Sequence, residues 1–164
     1  MPLLCISLFA LLLLPLSLSC GSKRPPEEVS NDYMVIVQTD LKNTRENITA
    51  LLHNSPCPSL RHNLRRCTSD TEKIVSNLHN LTCRMKSLRL PNTDRLAMSV
   101  LNSIRCPCLE RPTKEPNLKM KTKKTKNLCK AKEILSNMTE CYEMLNTVLN
   151  DNIDGHLRSN SSTL

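Results

Sequence analysis

The chain is predicted to fold as an all-α four-helix bundle stapled by disulfides, and three observations predict it. Apolar residues recur at alternating steps of three and four in four separate stretches, the period of one helix face. Trp is absent, the only Phe is Phe9, and Tyr33 and Tyr142 are the only tyrosines. Leu, Ile, Met and Val must therefore build the core, which suits helices better than a sheet rich in aromatic and β-branched residues. Gly occurs only twice, which leaves few sites for tight hairpin turns.

Residues 1–19, "MPLLCISLFALLLLPLSLS", carry no charge, a Leu-rich run and small Ser17 and Ser19 near the end, the pattern of a cleaved secretory signal. The run is too short for a spanning helix and no second apolar run near twenty residues follows, so membrane insertion is not expected. Residues 20–164, about 145 of them, make one domain.

The first helix is expected over 31–53, with Met34, Val37, Leu41, Ile48 and Leu51 or Leu52 on its apolar face. The second, 69–90, opens on a capping box in which Ser69 stands three before Glu72, and carries Ile74, Leu78, Leu81, Met85 and Leu88. "NTD" offers caps for the third, 93–105, with Leu96, Val100, Leu101 and Ile104 inside. A polar, basic loop, 106–126, leads to the fourth, 127–150, whose apolar face is Leu128, Ala131, Leu135, Met138, Tyr142, Leu145 and Leu149. Residues 151–164 are expected to be a disordered tail. Long connections after the first and third helices are those that an up-up-down-down bundle requires, although the join between the second and third is shorter than that topology favours.

Removing the signal removes Cys5 and leaves eight cysteines: Cys20, Cys57, Cys67, Cys83, Cys106, Cys108, Cys129 and Cys141. An even set in an exported chain points to four disulfides. Cys129 and Cys141 lie twelve positions apart on one helix, roughly 18 Å along its axis, so they cannot bond to each other. Spacing alone does not choose among the remaining connectivities. No CxxC pair is present, "CPC" is an uncommon zinc spacing, and His53, His62, His79 and His156 are scattered, so no metal or cofactor is expected. Catalysis is not expected either, since G-x-S-x-G, H-E-x-x-H and Gly-rich phosphate loops are missing.

Asn47, Asn80, Asn137 and Asn160 head N-x-[ST] triplets and are candidate glycosylation sites. The formal charge is +8, and much of it lies in "RPTKEPNLKMKTKKTK". Its Lys119, Lys121, Lys123, Lys124 and Lys126 are candidate contacts for a polyanion. For an exported protein that polyanion is a sulfated glycan such as heparan sulfate. No aromatic residue interleaves with the lysines, which argues against nucleic acid.

"KKTKNLCKAKEILSNMTECYEMLNTVL" resembles the last helix of the interleukin-7/interleukin-9 family of short-chain haematopoietic cytokines, in which a lysine-rich loop leads into two cysteines twelve residues apart. "DYMVIVQTDL" is similar to the start of that family's first helix, "RRCTSDTEKIVSNLHNLTCRMKSLRL" to its second and "LAMSVLNSIRC" to its third. Departures are Lys130 and Ala131 at positions the signature fills with apolar residues, Tyr142 in place of the usual Trp, and two extra cysteines, Cys83 and one of Cys106 or Cys108. Thymic stromal lymphopoietin is the competing relative, with cysteine spacings that match less well.

The resemblance implies the pairs Cys20–Cys106, Cys57–Cys129 and Cys67–Cys141, leaving Cys83–Cys108, with Cys106 and Cys108 exchanged as the alternative. It implies a secreted monomer that bridges the interleukin-7 receptor alpha chain and the common gamma chain to drive Janus-kinase signalling for lymphocyte survival and growth. Val37, Asp40 and Leu41 with Arg95 and Ser99 are the expected alpha-receptor contacts. Tyr142, Leu145 and Asn146 are the expected common-gamma contacts, with core packing as the equal alternative for Tyr142. A basic effector that binds glycans without defined receptors is the competing class. It requires cations along an amphipathic helix, whereas the lysines are expected in a loop.

Overall fold

The computed structural model describes residues 20, 24–53, 55–58, 67–109 and 120–160. The expected signal segment, Lys119 and most of the basic stretch before it, and residues 161–164 lie outside the described residues. The described elements are all helical: α1 (Pro26–Asp32), a π-helical segment (Tyr33–Val37), α2 (Gln38–Leu52), α3 (Thr71–Ser87), α4 (Asp94–Ile104) and α5 (Met120–Asn160). Backbone angles stay helical through Tyr33 and Gln38, so α1, the π segment and α2 form one rod, and the chain is a four-helix assembly.

Helix ends depart from the sequence expectation for local reasons. The first rod begins at Pro26 instead of residue 31, because Pro at the first helical position presets φ and Glu27 and Glu28 complement the positive end of the helix dipole. The cap of α3 is Asp70, not Ser69: its carboxylate accepts from the backbone N–H groups of Glu72 and Lys73 at 3.1 and 3.2 Å. Hydrogen bonding to Lys73 holds that carboxyl below its ordinary range. Thr93 precedes α4 but does not cap it; its hydroxyl donates to the Leu90 carbonyl at 2.9 Å. His53 and Arg105, both in the left-handed conformation, end α2 and α4.

The largest departure is α5. It runs for 41 residues, so 120–126 and 151–160, expected as loop and tail, are helical. No proline interrupts it; Lys and Met favour helix over 120–126, whereas 151–160, with Gly155 and several Asn and Asp, continues the helix with few strong helix formers.

One apolar cluster fills the interior, drawn from every helix: Val29 and Tyr33, Leu41 and Ile48, Ile74 and Leu78, Leu96 and Val100, and Leu135, Tyr142 and Leu145. The buried hydroxyls of Thr44 and Thr82 are satisfied by the carbonyls of Asp40 and Leu78 one turn back, each at 2.7 Å. Contacts between helices fix which residues meet. Ser30 donates to Asn146 and Arg45 to Thr139 across the first rod and α5. Asn77 lies against Cys141, and Asn127 donates to the Leu88 carbonyl, across α3 and α5. Arg24 reaches the Ser103 carbonyl, and Arg95 pairs with Asp40, across the first rod and α4. No helix among the described residues is long and apolar enough to cross a membrane.

Four disulfides close the assembly: Cys20–Cys106, Cys57–Cys129, Cys67–Cys141 and Cys83–Cys108, with Cα separations of 5.0, 5.5, 5.3 and 5.5 Å. The structure thus brings together the four pairs that the resemblance implies. Cys129 and Cys141 each reach a residue of the segment between α2 and α3, tying both ends of that crossover to the last helix.

Candidate functional site

The π segment is where the first helix leaves its apolar period. Buried residues of the rod fall at Val29, Tyr33, Val37 and Leu41, three successive steps of four. In a regular helix of 3.6 residues per turn such steps drift around the axis. A wider π turn resets them, so that Tyr33 and Val37 both stay inward. The residues between are turned out: Met34, Val35 and Ile36 are 58, 76 and 53 % exposed. Met34 was expected in the core; Tyr33 takes that place.

These three apolar side chains serve two sides. Met34 leans toward α5, where the Asn146 amide approaches its sulfur at 3.7 Å. Ile36 lies on the α4 side and lines a shallow groove of about 540 Å³ with Asp32, Arg95, Met98 and Ser99. Met98 is itself 62 % exposed. Scattered apolar residues are ordinary on a surface, but Ile36 and Met98 meet in one groove from two helices.

Arg95 lines that groove and pairs with Asp40. Asp40 is buried, its carboxylate accepting from Arg95 Nε at 2.9 Å and from the Ser99 hydroxyl, while the Arg95 side chain is almost wholly in water. The guanidinium is therefore held from beneath, with its outer N–H groups facing solvent. On the far side, Arg24 bonds Glu28, Asp32 and the Ser103 carbonyl, and the two carboxylates raise its pKa. That network pins the start of the rod to the end of α4.

Several expected contact residues are corrected by burial. Leu41, Tyr142 and Leu145 lie in the core, Asp40 is buried with them, and Val37, without exposed area of its own, only underlies the groove beside Ile36. Tyr142 stacks on Tyr33 instead, with ring centroids 4.3 Å apart. Its hydroxyl finds no hydrogen-bond partner, and burial pushes the phenol above its ordinary pKa. Of the two expectations for Tyr142, core packing is the one the structure has: its phase on α5, shared with Met138 and Leu145, places it inside. Of the expected contacts, Arg95, Ser99 and Asn146 remain accessible, and Met34, Val35, Ile36 and Met98 are additions that periodicity hid.

Other expected residues are dispersed. Asn47 and Asn80 are exposed, Asn137 is half-buried with its amide donating to the Glu133 carbonyl at 3.0 Å, and Asn160 ends α5. Lys121 and Lys123 lie within α5, and Lys124 and Lys126 are exposed on it. His79, read as an isolated histidine, sits between two disulfides: its Nε2 lies 3.1 Å from the Pro107 carbonyl, 3.2 Å from Cys106 Sγ and 3.6 Å from Cys83 Sγ. Although these sulfurs have ligand-like proximity, each is committed to a disulfide. Comparison of the chain with protein-family models, with curated proteins and with solved structures finds no match.

Proposed function

We propose that the chain is a secreted helical cytokine, similar to the interleukin-7 type, that acts by holding two receptor ectodomains together. The observation that carries this reading is the split orientation of neighbouring residues in the π segment, Met34 toward α5 and Ile36 toward α4. One turn of the rod thereby contributes apolar surface to two faces. The α4 face, with Ile36, Met98, Arg95 and Ser99, is the surface for an alpha receptor. The α5 face, with Met34 and Asn146, is the surface for the common gamma chain, replacing the buried Tyr142 and Leu145.

The up-up-down-down topology belongs to the same proposal and is supported by the residue pairings. Ser30 with Asn146 and Arg45 with Thr139 run in opposite chain directions, as do Asn77 with Cys141 and Leu88 with Asn127, and Arg24 with Ser103 and Asp40 with Arg95. A rigid bundle suits bridging, because little ordering entropy is lost when a preorganised surface binds.

The test is binding of the oxidised protein to the two ectodomains by surface plasmon resonance. Replacing Ile36 and Met98 by Ser lowers affinity for the alpha receptor about tenfold or more, at ~1.4 kcal/mol per tenfold. Replacing Met34 by Ser and Asn146 by Ala leaves that affinity intact and weakens recruitment of the gamma chain. Unchanged binding in both variants overturns the assignment of the faces.

A further inference from the structure

We infer that α3 and α5 together present a surface for a sulfated polysaccharide, centred on Arg84, Lys126 and Lys130. The register of the two helices is set by Asn127, whose amide donates to the Leu88 carbonyl at 3.4 Å, and by Asn77 against Cys141. Arg84 stands seven residues after Asn77 and four before Leu88, so it shares their face of α3. Lys130 follows Asn127 by three, and Lys126 precedes Lys130 by four, about 6 Å along the axis, so cations flank the Asn127–Leu88 junction on the α5 side as well. Arg84 and Lys126 are exposed and Lys130 half-buried; Lys124, also exposed, extends the surface toward the start of α5. The run expected as a flexible loop is thus partly a fixed helical array, joined by an arginine from another helix.

The array lacks internal compensation. Ion pairs among the described residues join Arg24 to Glu28 and Asp32, Lys73 to Asp70 and Arg95 to Asp40, and none engages Arg84, Lys124, Lys126 or Lys130. Cations in the last turn of α3, Arg84 and Lys86, suit its dipole. Lys126 and Lys130 repeat at i,i+4 with like charge. Glu133, three residues beyond Lys130, is the nearest acidic residue along α5. An external polyanion relieves that repulsion.

The chemistry of the polyanion follows from what accompanies the charge. Both tyrosines are buried in the core, so the array carries no platform on which nucleic-acid bases stack. The exposed large apolar residues among those described are Met34, Val35, Ile36, Met98, Leu109 and Ile153, and none belongs to this stretch of α3 or α5, so no wedge enters a bilayer. A linear sulfated chain needs neither. The array lies on α3 and α5, apart from the apolar patch of the π segment and α4, so a glycan-held molecule keeps its α4 face accessible.

The experiment is salt elution of the full oxidised protein from immobilised heparin. A variant carrying Arg84→Gln, Lys126→Gln and Lys130→Gln is compared with a charge-matched control carrying Lys42→Gln, Lys73→Gln and Lys132→Gln, both checked for helicity by circular dichroism. The triple variant elutes at lower salt, and its slope of log affinity against log salt falls by about three, one per lost contact. The control elutes near the wild type. Desulfated heparin does not retain the wild type. Equal losses in both variants overturn the proposal by showing diffuse charge. Retention on desulfated heparin, or displacement from heparin by single-stranded DNA or by phosphatidylserine vesicles as effectively as by heparan sulfate, also overturns it.

Discussion

The rings of Tyr33 and Tyr142 stack inside the bundle with centroids 4.3 Å apart and planes 12° from parallel. The pair joins the π segment to the last helix, so the turn that exposes Met34, Val35 and Ile36 is held from within by its own first residue.

Tyr142 gives a prediction with a sign. Its hydroxyl is buried without a partner, and desolvation raises its pKa above the unfolded value of about 10. The native state therefore keeps a proton that the unfolded chain releases, so stability is full below about pH 10 and falls as pH rises beyond it. Tyr142→Phe removes the unsatisfied group and is expected to raise stability by about 1 kcal/mol at neutral pH. It also lessens the alkaline loss. Denaturant midpoints at pH 7 and above pH 10 measure both effects; a destabilised Phe variant contradicts the burial.

Much of the fold was legible because helical period and composition speak directly to it. Ile74, Leu78, Leu81 and Met85 are buried as their spacing implies, and so are Leu128, Ala131, Leu135 and Met138. The site was less legible for two reasons. Tyr33 and Met34 exchange roles through a π turn, which changes the period locally and has no signature in an apolar pattern. The start of α5 was hidden because polar composition says nothing about helicity when lysines themselves favour helices. Spacing excluded a Cys129–Cys141 bond but could not find Cys57 and Cys67 as their partners; family resemblance supplied that.

Disulfide removal should scale with the loop closed. Replacing Cys57 and Cys129, 72 residues apart, by Ala is expected to cost about 4 kcal/mol, and replacing Cys83 and Cys108, 25 apart, about 3 kcal/mol, in the chain-entropy description. Chemical denaturation of the two double variants measures the difference. A larger loss from the shorter loop contradicts the entropic ordering.

Asp40 and Arg95 are unequal partners, one buried and the other in solvent. Arg95→Ala leaves the Asp40 carboxylate with the Ser99 hydroxyl and is expected to cost on the order of 1 kcal/mol, reduced from a fully buried pair by solvent screening. A double-mutant cycle with Asp40→Ala isolates the coupling. A value near zero shows that the carboxylate is satisfied without the guanidinium.

Deleting Val35 shortens the π segment by one residue and brings Tyr33 and Val37 three positions apart, still on one face of a regular α-helix. The variant is expected to fold with an intact Tyr33–Tyr142 stack and to lose the exposed apolar patch. Near-ultraviolet circular dichroism reads the first, and receptor binding reads the second. Retained receptor affinity in a folded variant removes the π turn from the function.

Bridging is tested most directly by a sandwich measurement: the interleukin-7 receptor alpha ectodomain immobilised, the oxidised protein added, then the common gamma ectodomain. The two faces predict that the second ectodomain is captured only when the protein is present, and that Ile36→Ser with Met98→Ser weakens the first step about tenfold or more. Failure of the protein to engage either ectodomain, alone or in sequence, contradicts the cytokine assignment.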